Sequence, residues 1–208
     1  MKMQDSISRN TYNFIIGSCL TWGFMLSWLL AKTVDPMIVI NGGWTFLIGY
    51  IVAVLVGIGL VHGSKNPIIS FIGFNIIVIP MGTVLGAAIS VVDPAIVHEA
   101  VLLTALITGV MMIVATLFPQ SCLGLGRALF VALIALIVAH LVVYFMGYDV
   151  GSLLSYLGAG IFSLFIAYDW ARAQNEPATV DNAVDSAAGL FISIMNLLLN
   201  LLDILNSD

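Results

Sequence analysis

Polar side chains are scarce in this sequence, and the few that could do chemistry keep register with one another near its end. Asn182, Ser186, Gly189, Ser193, Asn196, Asn200 and Asp203 follow in steps of four, three, four, three, four and three, which is one face of a helix. Every other position from Ala187 to Leu202 is Ala, Leu, Ile, Phe or Met. A second polar face precedes it: Ser155, Phe162 and Asp169 are spaced by seven, so the Asp169 carboxylate lies on nearly the same side as Ser155. A carboxylate exposed to hydrocarbon is costly, so Asp169 must pair, take up a proton or face a cavity. Lys65, Arg127 and Arg172 are the bases that could serve as its inner partners.

The elements that position these groups follow from composition. Of 208 residues, 61% are hydrophobic and only 8% charged, with a mean hydropathy of +1.13, which excludes every soluble class. Apolar runs occupy Tyr12–Ala31, Pro36–Val61, Pro67–Val91, Pro94–Phe118, Leu123–Met146, Val150–Ala171 and Ala183–Leu202. Each is long enough to cross a bilayer. The chain is therefore expected to be an all-α polytopic membrane protein, with residues 1–208 forming a single domain of seven transmembrane helices and no soluble domain. The polar stripe of the seventh helix needs partners inside protein or a wet cavity, so other helices should surround it.

Basic residues set the expected orientation. With the N-terminus cytoplasmic, Lys2, Arg9, Lys65, Arg127 and Arg172 lie inside and only Lys32 outside, with the C-terminus outside. Asp35, Asp93, Glu99, Asp149, Asp203 and Asp208 then lie toward the outside, and with Lys32 they carry the whole formal net charge of −5. Such a mouth would concentrate cations, with Glu99 and Asp203 at the outer end of any pathway. Asp35, Asp93 and Asp149 also stand where aspartates cap helices, two of them just before proline. Mid-membrane, Pro80 frees a backbone carbonyl in the third run, while Gly82 and Gly86 offer a small-residue face. His140 in the fifth run is read as a neutral imidazole bonded to a nearby carbonyl. Cys19 and Cys122 are too far apart along the membrane normal for a bridge.

Two stretches then resemble a known family. Phe162-Ser163-Leu-Phe-Ile-Ala-Tyr168-Asp169 and Phe191-Ile-Ser193-Ile-Met-Asn196-Leu-Leu-Leu-Asn200-Leu-Leu are similar to the sixth and seventh helices of Bax inhibitor-1 proteins, also called transmembrane Bax inhibitor motif proteins. Weaker echoes are Gly82-Thr-Val-Leu-Gly86 and Leu103-Thr104-Ala-Leu-Ile. The resemblance, to a bacterial member, implies six helices packed around a central seventh. It also implies, as in several members, a pH-sensitive calcium leak governed by two aspartates near the cytoplasmic ends of helices six and seven. Asp169 matches the first aspartate, and Ser193 stands in place of the second. Two close carboxylates cannot both ionise freely, and a lone carboxylate beside a serine lacks that coupling. Asp203 stands where some bacterial members carry a base, and no acid lies within Met37–Val61.

The resemblance thus implies a cation leak in the cell membrane, with Asp169 at the gate and Ser193, Asn196 and Asn200 along the path. Calcium is the permeant ion their oxygens suit, rather than a bound cofactor. A second branch of bacterial relatives, with serine on helix seven, implies instead a non-conducting regulator of another membrane protein or protease. No catalytic or metal-binding role is expected: there is no His-Glu-x-x-His pair, no Gly-x-Ser-x-Gly elbow, and no second aspartate to complete a protease site with Tyr168-Asp169. The expected partners are the lipid bilayer, calcium and another membrane protein, and not nucleic acid.

Overall fold

The computed structural model describes residues 6–146 and 151–207. Among them the chain forms nine helices and no strand: α1 (Arg9–Thr33), α2 (Met37–Ile40), α3 (Gly43–Gly63), α4 (Pro67–Ile89), α5 (Pro94–Leu117), α6 (Pro119–Gly124), α7 (Gly126–Met146), α8 (Gly151–Asn175) and α9 (Val180–Ser207). Seven of them, α1, α3, α4, α5, α7, α8 and α9, are long and apolar enough to cross a membrane. Those seven correspond to the seven apolar runs.

Local signals explain where the helices begin. Ser8 accepts from the Thr11 amide at the start of α1, and Asn66 accepts from Ile68 N ahead of Pro67 in α4. Asp93 caps α5 by accepting from Ala95 N at 2.7 Å, and Asp35 accepts from Met37 N at 2.9 Å, as their spacing predicts. Asp149, the third expected cap, lies outside the described residues, as do Lys2, Asp5 and Asp208. The run from Pro36 to Val61 is not one helix. It breaks after α2 at Asn41-Gly42, and Gly43 takes φ +48°, a left-handed conformation that glycine enters without a Cβ clash. At the other end α9 exceeds its apolar run in both directions. Thr179 accepts from Asn182 N at 3.2 Å and starts the helix at Val180, and it continues to Ser207.

The chain divides into two compact units, Met1–Val91 with Asn175–Ile192, and Val92–Gln174 with Ser193–Asp208. Helix α9 passes from the first to the second. In the first unit α4 packs closely on α1 and on α3 through small residues. A Cβ on Gly73 would stand 2.8 Å from the Gly57 carbonyl and 3.0 Å from Val61 N, and one on Gly82 or Gly86 would press on the α1 backbone at Ser27 or Ala31. The Gly82/Gly86 face is therefore filled by the chain's own α1. Phe74 and Phe191, both fully buried, meet edge to face with centroids 5.6 Å apart, and Phe24 adds a third ring at 5.2 Å from Phe191.

In the second unit Ala115, Cys122, Ala167 and Ala171 form a small-residue core, flanked by Met111, Val114, Leu123 and Trp170. The Trp170 indole donates to Thr116 Oγ1 at 3.1 Å. Helices α3 and α7 expose rows of leucine, isoleucine and valine, the surface that lipid covers. Helix α9 is the opposite case: 61% of its apolar window is buried, against 11% for α3. A helix carrying amides and carboxylates through hydrocarbon needs that enclosure.

Candidate functional site

Helices α8 and α9 run antiparallel in the second unit, and their contacts keep one register: Ser155 meets Asp203, Gly158 meets Asn200, and Asp169 meets Ser193. This is the face on which Ser155, Phe162 and Asp169 are aligned by their spacing. Phe162, between the two ends, is buried.

The Ser193 hydroxyl donates to Asp169 Oδ2 at 2.7 Å. Ser193 is 4% exposed, while Asp169 is half-buried. The family resemblance pairs these two positions, and the fold brings them into direct contact. Seven residues further along α9, the Asn200 amide donates to the Asn196 carbonyl at 2.7 Å and lies flat against Gly158. A methyl group at position 158 would overlap that amide, with Cγ only 2.7 Å away. Asn196 is half-buried. At the far end Ser155, 6% exposed, donates to Asp203 Oδ2 at 2.6 Å.

The other expected residues are placed as follows. Glu99 is exposed on α5, six residues beyond the Asp93 cap. Lys65 and Arg127 are exposed, and Arg172 is half-buried one turn along α8 from Asp169. His140 Nδ1 lies 2.9 Å from the Leu136 carbonyl of its own helix, which satisfies it locally. Among the described residues no three histidine, cysteine or acidic side chains gather as metal ligands would. The seam offers a cation one carboxylate at each end, with hydroxyl and amide oxygens between. Such a set binds hard cations weakly.

The first unit holds a polar group that spacing alone did not reveal. Asp181, in the first turn of α9, is 2% exposed and accepts from Ser70 of α4 at 2.8 Å. Nearby, the fully buried Tyr12 hydroxyl lies 2.8 Å from Ser186 Oγ and donates to the Asn182 carbonyl at 3.2 Å. Arg9 donates to the Glu176 carbonyl, and Ile7 N to that of Ala178. These contacts fasten the start of α1 to the connection between α8 and α9. Thr179, three residues before Asn182, is the helix-start signal that would have moved Asp181 from a loop into a buried first turn.

Comparison with known proteins gives a consistent result. The chain matches, over residues 4–208, the family described as inhibitor of apoptosis-promoting Bax1. It is similar to an uncharacterized protein of Helicobacter pylori strain J99, with 27% identity over 212 residues, spanning 96% of this chain and 86% of the relative. A second relative, from Helicobacter pylori strain 26695, is 26% identical over the same extent.

Proposed function

We propose, for a chain that belongs to the Bax inhibitor-1 family of inhibitors of apoptosis-promoting Bax1, that it is a cation leak held shut where Ser193 bonds Asp169. That single bond carries the reading. It joins the deepest carboxylate of α8 to the stripe of α9, and a cation can take the place of the hydroxyl as the partner of the carboxylate. Calcium is the ion its hard oxygen ligands suit. One carboxylate, with neutral oxygens beyond it, favours passage over storage. The proposed setting is the cell membrane, with the N-terminus cytoplasmic and the Asp169 end of the seam facing the cytoplasm.

The regulator reading needs free small-residue faces on α4 and α8. Gly82 and Gly86 already pack on α1, and Ser155 is bonded to α9, which favours the leak.

Calcium uptake into proteoliposomes tests the proposal. A hydroxyl bond to a charged group contributes about 1.5–3 kcal/mol, so Ser193→Ala should raise flux about tenfold or more. Asp169→Asn, which removes the charge, should lower it. Ser193→Asp places two carboxyl groups in one site and should steepen the response to pH between about 6 and 8. Flux no greater than that of empty liposomes in every variant would overturn the leak and restore the regulator.

A further inference from the structure

The face that α8 turns to α9 is polar at Ser155 and Asp169, bare at Gly158 and aromatic at Phe162. Ser155 and Gly158 meet Asp203 and Asn200, so three residues forward on α8 answer three residues back on α9. Four more in each direction bring Phe162 level with Asn196. A ring is thus set into a line of hydroxyl, amide and carboxylate oxygens. At 7% exposure it lies within the seam and not against lipid.

Its neighbours distinguish it from a ring that merely fills a core. In the first unit Phe74 and Phe191 are held by each other and by Phe24, three rings from three helices. Phe162 stacks instead on Phe165 of its own helix, with centroids 6.0 Å apart and planes inclined by 33°. That contact travels with α8 and does not fasten the ring to α9.

Position supplies the energetic argument. Phe162 stands seven residues from Ser155 and seven from Asp169, about 10 Å from each along the helix. It is also near the midpoint of α8, which runs from Gly151 to Asn175, and a charge at that depth of a bilayer is costly. An ion that leaves the oxygens at one end of this face meets an apolar ring before it reaches those at the other. An apolar constriction excludes water, and with it the ions that water carries.

Resting on the leak reading, we infer that Phe162 is the barrier at the centre of the passage, in series with the Ser193–Asp169 bond. Its ring keeps the middle of the seam dry, and the leak runs as fast as the ring turns aside. Once it has turned, Asn196 and Asn200 offer amide oxygens in place of the water that a cation sheds.

The test measures calcium flux in proteoliposomes of the full-length protein, with Ser193→Ala as the background, so that the ring is the barrier left. Phe162→Val and Phe162→Thr introduce side chains of nearly equal shape, one apolar and one bearing a hydroxyl. The loss of packing is common to both, and wetting is not. The threonine variant should leak about tenfold faster than the valine variant. Phe162→Trp, larger and still apolar, should return flux toward that of the wild type, and it serves if the two smaller replacements do not fold. Equal flux from the valine and threonine variants, or a tryptophan variant as leaky as the background, overturns the barrier and leaves the leak standing, since Ser193→Ala itself still conducts. No flux in any variant, the background included, overturns the leak reading and the barrier with it.

Discussion

Two serine–aspartate bonds of nearly equal length have opposite surroundings in the two units. Ser70–Asp181, at 2.8 Å, is sealed from its surroundings, with the buried Tyr12–Ser186 contact one turn further along α9. Ser193–Asp169, at 2.7 Å, has its hydroxyl buried and its carboxylate half-open. Hydrogen-bond geometry alone does not separate the two carboxylates; access to them does. The packing agrees. In the first unit Gly73, Gly82 and Gly86 face backbone, Gly57 faces both backbone and the Ile77 side chain, and Gly23 faces the buried rings of Phe74 and Phe191, whereas Gly158 and Gly126 of the second face the side chains of Asn200 and Tyr168.

This contrast can be broken at graded strengths. The largest effect should come from Gly73→Leu, because the new side chain meets backbone that cannot give way. We expect a loss of about 3 kcal/mol or more, seen as a fall in thermal stability in detergent together with loss of monodisperse protein. A stable Gly73→Leu would remove the claim that the first unit is the rigid one. Next comes Ser70→Ala, which leaves Asp181 buried without its donor and should cost about 2 kcal/mol with calcium flux per folded molecule unchanged. A flux change equal to that of Ser193→Ala would make the two pairs functionally alike. Gly158→Ala should cost about 1 kcal/mol and alter flux, since only the Asn200 amide has to move. The smallest effects should be those of Tyr12→Phe and Thr179→Ala, about 1 kcal/mol each or less, measurable as small shifts in melting temperature without any change in flux.

Much of this was legible in the sequence, for reasons that also set the limit. The seven spans follow from run length, and the polar stripe from the helical period, neither of which depends on tertiary contacts. Asp93 before Pro94 and His140 four residues after Leu136 are satisfied within their own segments, so local spacing sufficed. Glu99 could not be oriented, because lipid and protein interior are equally apolar and a hydrophobic run does not reveal which face turns outward. The bond from Ser155 to Asp203 depends on the register between two antiparallel helices 48 residues apart in sequence, which no periodicity within either one encodes. The break at Gly43 was hidden because the residues on both sides of it are apolar.

Helix α9 contributes to both units, and that has a consequence for biosynthesis. It is the last described helix to leave the ribosome. Until it inserts, Ser70 and Tyr12 in one unit and Ser155 and Asp169 in the other lack the partners it brings. Neither unit can complete its interior from residues translated earlier. Membrane insertion should therefore proceed through a six-span intermediate whose polar groups are held by water, lipid headgroups or chaperones, and chains truncated before α9 should be cleared rather than accumulate.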